Sequence, residues 1–521
     1  MTANSAVTGV RKYLLSRPVN FTAPTVLGLG DRDQDFLKRL VEVWRVKQPR
    51  NRLRQAYLDG LVRPENLGIA VPDDMVDLLG VVVGWPRKVV FGLADLIMWD
   101  GVTGDDGAEN PGGLRELLDD NNFGQEVGQA IASALTQSLA FLTLRRGEPS
   151  EGEPAVVIQA HSAEWASGLW DRLHRRLAAG LTVNDVDDLG RPTRMTLFTP
   201  DETLVLADSR RGPWAVLARD SHGASAPMME ALPFEPSLDR PLGRSRISRD
   251  VMSITQRAMR TVLREELALE LFTVPGLLLR GVDEATFAAL KDWSWKLGTV
   301  KGLSRDEDGL VPEVDFLPQQ TAQPFTDQMR ALATEMAGVS SLPVSSFGVV
   351  QDNPSSAEAL YAAKEELIIK ARNATKVFDA PLSRLYRAAA ALAGADFGPV
   401  EAGGARPPRI STRWGDPAHP SIVSQSDAIV KQITALPWLA DTTVVLEELG
   451  YSDSQITRLL SDKRRAEASG FLDRLTRTLP QREDEERDDG EDETEDVRED
   501  EDEDADARDA EPVLGSRRPR R

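Results

Sequence analysis

Residues 247–272, ISRDVMSITQRAMRTVLREELALELF, contain neither glycine nor proline. That predicts one helix, about 39 Å long at the usual rise per residue. Ile247, Val251, Ile254, Ala258 and Val262 recur at helical spacing along one face. Met259, Leu263, Leu267 and Leu271 form a second apolar row, about a hundred degrees around. A helix apolar on two sides is covered on two sides. Its charges oppose the helix macrodipole: Arg244, Arg246 and Arg249 crowd the start, Glu265, Glu266 and Glu270 the end. Something outside the helix must compensate. A copy of the same helix in a ring would do so; a core position in a monomer is the plainer reading.

The flanking residues repeat a pattern. After the helix come a short apolar strand (277–279), a short helix (284–295), a charged turn (305–309) and a closing strand (313–317). Trp293, Trp295 and Lys296 fall inside this insert and read as its core. A second helix follows over 324–338, with Phe325, Met329, Leu332 and Met336 on one side. Two helices thus bracket a small α/β insert. Residues 342–353, LPVSSFGVVQDN, form a loop of small and apolar residues without Lys or Arg. Ser355 with Glu358 makes a capping box for a long helix that runs to Gly394, kinked or broken near Pro381.

Before the linker at 233–246 the chain reads as an α+β domain over roughly 31–236. Helices are expected at 33–44 and, after a break at Pro49, at 50–60. Residues 81–102 read as a helix entered at Trp85-Pro86 and ending near Trp99, and 122–137 as another. A buried strand starts at Pro154, and 194–219 holds three strands. At the other end, 406–437 gives a strand, a turn and a helix, and 442–468 two helices.

Composition removes several chemistries. There are no cysteines, so disulfides, thiolate zinc sites and cysteine nucleophiles are excluded. The four histidines are scattered, and neither a phosphate-binding P-loop nor a G-x-S-x-G elbow occurs. Asp73-Asp74, Asp105-Asp106 and Asp187-Asp188 sit in loops and read as turn caps rather than cation ligands. No catalytic residue, metal ligand or cofactor is expected, and no enzyme. No secretion signal and no membrane-spanning run is expected either. The net charge is −21; residues 481–521 hold 20 acids and 8 bases, a net of −12, which leaves the rest near −9. The body is not built to grip nucleic acid, and the acidic tail is expected to be disordered.

Four stretches in order carry a resemblance to the portal proteins of tailed bacteriophages, of the actinobacterial siphophage type. They are VVVGWPRKVVFGLADLIMWDGV (81–102), GRSRISRDVMSITQRAMRTVLREELALELFTVPGLLLRG (243–281), SSAEALYAAKEELIIKARNATKVF (355–378) and TRWGDPAHPSIVSQSDAIVKQI (412–433). The resemblance spans about residues 40–470. It implies a multidomain α+β subunit: an α/β wing, a two-helix stem, a small α/β clip and a helical crown, assembling into a ring, typically a dodecamer.

By position, 1–30 would be an N-terminal arm, 31–245 and 356–400 the wing, 246–272 and 321–340 the stem, and 273–320 the clip. Residues 341–355 would hold the channel loop, 401–470 the crown and 471–521 the acidic tail. The channel loop would comprise Val344, Ser345, Ser346, Phe347, Gly348, Val349, Val350, Gln351, Asp352 and Asn353. Stem packing would fall to Ile247, Val251, Ile254, Ala258, Val262, Leu263 and Leu267. Implied partners are other copies of the chain, the terminase large subunit, the major capsid protein, the scaffold, head-completion or adaptor proteins, and double-stranded DNA passing through. The implied location is the virion, at the capsid's portal vertex, with assembly in the host cytoplasm. A connector or adaptor that conducts no DNA is the alternative.

Overall fold

The computed structural model describes residues 19, 21–65, 76, 79–104, 110–209, 212–273, 277–280, 313–316, 321–349, 357–394, 410–418, 422–451 and 453–478. The chain divides into two compact units, Met1–His419 and Pro420–Arg521. Outside the described residues lie the expected helix at 284–295, the turn at 305–309, the Ser355 capping box, the pairs Asp73-Asp74 and Asp105-Asp106, and the tail at 481–521.

Unit one opens with α1 (Asp31–Leu58) laid against a six-stranded sheet. Strands β5 (Ala166–Asp171), β6 (Arg176–Val186), β7 (Pro192–Phe198), β8 (Glu202–Ala207) and β9 (Trp214–Ser221) form an antiparallel meander. The short β1 (Val26–Leu27) joins β9 in parallel. Leu37, Leu40 and Trp44 of α1 are buried against Leu181, Met195, Leu197 and Leu206 of the sheet. The three strands expected over 194–219 are β7, β8 and β9. Asp187 caps the β6–β7 turn as expected, accepting from the Leu189 and Arg191 amides at 2.9 and 2.8 Å.

α1 corrects the break expected at Pro49: the helix continues through it. The missing N–H and the ring clash cost about 3 kcal/mol. Packing on both sides outweighs this. Trp44 is buried and donates from Nε1 to the Glu164 carbonyl at 2.7 Å, and the buried Asn51 donates to the Ala163 carbonyl at 2.8 Å.

A second sheet has the order β10–β3–β4, from β3 (Leu139–Arg146), β4 (Val156–Ser162) and β10 (Met229–Pro233), all antiparallel. Its outer strand β4 has its edge closed by side chains. Asn121 donates to the Val156 carbonyl and accepts from the Ile158 amide, both at 2.8 Å, and Glu126 accepts from the Ala160 amide at 2.6 Å. Unpaired ladder groups at an edge otherwise invite a foreign strand. α4 (Phe123–Gln137) packs on it, and α2 (Trp85–Ala94) and α3 (Leu114–Asp120) pack on α4.

The helix expected to reach Trp99 ends at Ala94, and Trp99 starts β2 (Trp99–Gly104), which pairs antiparallel with β13 (Ile410–Trp414). Trp99 stands edge-on to Phe123 at 5.3 Å and donates to the Tyr386 hydroxyl at 3.0 Å. Strand partners so distant in sequence leave no local signal.

Tyr386 belongs to α7 (Ala357–Leu392), which crosses the second sheet. α7 runs through Pro381 as one helix, correcting the expected break. Phe378, Leu382, Leu385 and Tyr386 around that proline are fully buried, and their packing holds both halves in line. Unit two holds α8 (Ile422–Ala435), α9 (Thr443–Glu448) and α10 (Asp453–Thr478). The two helices expected over 442–468 are α9 and α10.

Candidate functional site

α5 (Arg249–Thr273) and α6 (Gln323–Ser340) flank a two-stranded antiparallel sheet of β11 (Leu277–Arg280) and β12 (Glu313–Phe316). Leu277 faces Phe316 and Arg280 faces Glu313 in register. Helix, strand pair, helix is the order the sequence suggests. α5 and α6 pack side by side. Arg246, ahead of α5, reaches the end of α6; Arg257, three turns further, meets Glu335 at 2.8 Å. The two helices therefore run antiparallel.

The apolar rows of α5 do not face outward. Ile247, Val251, Ile254 and Ala258 are buried in the main core together with Leu332, Ala333 and Met336 of α6. Leu263 and Met259 are buried with Val76 and Val81, and Val262 and Leu267 pack partly buried on that group. From Val251 to Leu263 only Ser253 is exposed. As far as Leu267 both rows are thus covered by this same chain, the plainer of the two readings the sequence allows. Periodicity shows that a face is covered; it does not show by which molecule. Gln256 strengthens the cover: its Nε2 donates to Tyr57 Oη and to the Arg63 carbonyl, both at 3.1 Å.

One of the reversed charges, Arg246, has an internal answer. Arg246 is buried, and its guanidinium donates to the Ser340 and Val89 carbonyls, each at 2.7 Å. Ser340 ends α6, where the macrodipole is negative and carbonyls lack helical partners. The cation at the head of α5 thus serves the tail of its antiparallel neighbour. Burial lowers the Arg246 pKa to about 10. Nearby, Ser245 Oγ donates to the Thr136 carbonyl and the Arg246 amide to the Leu135 carbonyl at 2.8 Å, fastening this corner to the end of α4.

The loop after α6 behaves differently from its expectation. Phe347 is buried and stands edge-on to Trp85, ring centroids 5.8 Å apart. Val344 and Val349 pack on the main core. Phe347 is turned into the core and Val344 and Val349 are partly covered by it: an apolar loop residue close to a core gains by burial. Ser345 and Gly348 are exposed and Ser346 is half-buried. Gly348 takes a left-handed φ of 87° as the turn requires. Val350, Gln351, Asp352 and Asn353 lie outside the described residues.

Sequence reasoning missed what holds the loop at its root. Ser341, with φ 58°, donates from Oγ to Glu366 Oε1 at 2.5 Å and accepts from Lys370 Nζ at 2.5 Å. Lys370 and Glu366 are themselves 3.4 Å apart. The bond from Ser341 holds the Glu366 carboxyl below its usual pKa. Leu342 sits so close to α2 that a Cβ on Gly92 would come within 2.8 Å of Leu342 Cδ2. The one signal for any of this was Arg246, a cation on the wrong end of a helix.

Among the described residues, no helix is long and apolar enough to cross a membrane. A family described as "Phage portal protein, SPP1 Gp6-like" matches residues 78–466. The portal protein of Mycobacterium phage D29 is 27% identical over 396 residues, 73% of this chain and 78% of that protein. The portal protein of Mycobacterium phage L5 is 27% identical over 394 residues, 72% of this chain and 77% of that one. Among solved structures, a chain in the neck of an empty GTA particle, computed with C6 symmetry, aligns with TM-score 0.38 at 15% identity, covering 73% of this chain and 94% of that chain. A chain in the neck of a native GTA particle, computed with C12 symmetry, gives 0.38 at 14%, covering 76% and 98%.

Proposed function

This chain belongs to the SPP1 Gp6-like family of phage portal proteins, and from that premise we propose that it forms a closed ring, a dodecamer, at one vertex of a phage capsid. Double-stranded DNA is driven through the central channel during packaging and leaves through it on ejection. α5 and α6 serve as the stem, and the segment between them, with β11 and β12, as the clip. The α/β body of unit one forms the wing and the helices of unit two the crown. The clip docks the terminase large subunit during packaging and head-completion proteins afterwards; the capsid protein and scaffold meet the wing.

The observation that carries this reading is the antiparallel helix pair bracketing a strand pair, within a match that spans most of the chain. Charge supports it. A conduit that gripped phosphates would stall, because such contacts are strong and salt-dependent. Apart from the acidic tail the chain carries a net charge near −9, which suits passage rather than binding.

Electron microscopy of the purified protein tests the reading. Closed rings with a bore wide enough for a duplex are expected. Solitary subunits at every concentration refute it, and rings too narrow for a duplex point to an adaptor instead.

A further inference from the structure

We propose that Ser341, Glu366 and Lys370 form a latch that fixes where the loop after α6 leaves the wing; this rests on reading α6 as a stem helix and adds positioning residues to it. Ser341 lies just past the end of α6, while Glu366 and Lys370 sit one turn apart on α7. The latch therefore ties the entrance of the loop to the helix that follows its exit, 25 residues away in sequence.

Three facts favour a device over an incidental surface contact. Ser341 adopts φ 58°, at a helix end where glycine is the residue that fits without strain. Serine is present instead, so the hydroxyl is what the position uses. That hydroxyl is engaged in both senses: it accepts from Lys370 and donates to Glu366 at once. An exposed Lys–Glu pair on a helix does little by itself; here both ends converge on a buried third group from another element. Finally, the neighbours of Ser341 are held too. The Ser340 carbonyl accepts from Arg246, and Leu342 is seated on Gly92 of α2. The end of α6 is thus fixed to α2, to the head of α5 and to α7. Displacement of α6 is passed to α7 through Glu366 and Lys370 rather than absorbed in a slack joint.

Hydrogen exchange on the assembled full chain tests this, with Ser341→Gly, Glu366→Lys, Lys370→Glu and the exchanged pair Glu366→Lys/Lys370→Glu. Glycine keeps the backbone conformation and removes the CH2OH side chain that carries the hydroxyl. The exchanged pair rebuilds the latch with donor and acceptor reversed. Rings in all four variants are expected, with amides of residues 342–349 exchanging about tenfold faster in the three single variants. The exchanged pair should return to the parent rate. Unchanged exchange in Ser341→Gly overturns the latch. So does an exchanged pair as fast as the singles, or a loss of rings in the singles that the pair does not restore. Absence of rings in the parent refutes the portal reading alone, since exchange at 342–349 can still be read on the unassembled chain.

Discussion

Replacing Arg246 should loosen the joint between α5 and α6, and the size of the effect follows from its surroundings. Its two hydrogen bonds, each 2.7 Å to a carbonyl oxygen, are charge-assisted and contribute about 1.5–3 kcal/mol apiece. Burying the cation opposes them. The fall of its pKa from 12.5 to about 10 corresponds to roughly 3 kcal/mol that is recovered when the charge is removed. Arg246→Met, which keeps most of the volume, should therefore lose about 2 kcal/mol, because the Ser340 carbonyl is left without its donor. Arg246→Ala adds a void and should lose about 3–4 kcal/mol. The assay is urea unfolding at one fixed protein concentration, comparing midpoints at unchanged slope. An Arg246→Met protein within about 0.5 kcal/mol of the parent refutes the assignment of Arg246 as the partner of the α6 terminus.

Gly243 has φ 79°, and a Cβ there would lie 2.3 Å from the Phe234 carbonyl oxygen and 2.7 Å from that of Ser138. Gly243→Ala should cost about 3 kcal/mol or more, whereas Gly113→Ala, at φ 70° in open space, should cost about 1 kcal/mol; equal costs by urea unfolding would contradict this. His161 sits half-buried beside Thr143 Oγ1 at 3.0 Å, and burial lowers its pKa from 6.5 to about 4. The unfolded chain then binds more protons between those values, so stability is complete above about pH 6.5 and falls by about 3 kcal/mol toward pH 4. His161→Gln should flatten that slope in unfolding measured from pH 4 to 7, and an unaltered slope assigns it to other groups. Deleting residues 481–521, which carry a net charge of −12, should leave rings intact in electron micrographs; failure to assemble would give the tail a structural role.

The long helix was readable because the segment holds no glycine or proline: the periodic run at 247–272 became Arg249–Thr273. The strands of the insert were equally plain, β11 as a short apolar run and β12 as an alternating polar and apolar one. What stayed hidden depended on distant partners. β2 exists because β13 lies beside it, and nothing near Trp99 announces that. The β5–β6 hairpin is masked by the charged turn at Asp171–Arg176, and its strands are buried on grounds of tertiary packing. Pro49 and Pro381 were read by local cost alone, which neighbouring core contacts exceed. The same limit applied to the loop at 342–349: nothing near Phe347 in sequence announces that it is buried against Trp85. The latch at its root joins residues too far apart for any motif.

The closed edge of β4 matters more for a chain that gathers around an axis than for one that lives alone. At the local concentrations reached while copies collect, a bare sheet margin would be the first surface to find another like it, and the product would be a ribbon of fused sheets with no hole. Asn121 and Glu126 occupy those backbone groups before any neighbour can. Two side chains thereby leave contact between subunits to surfaces that can close into a circle.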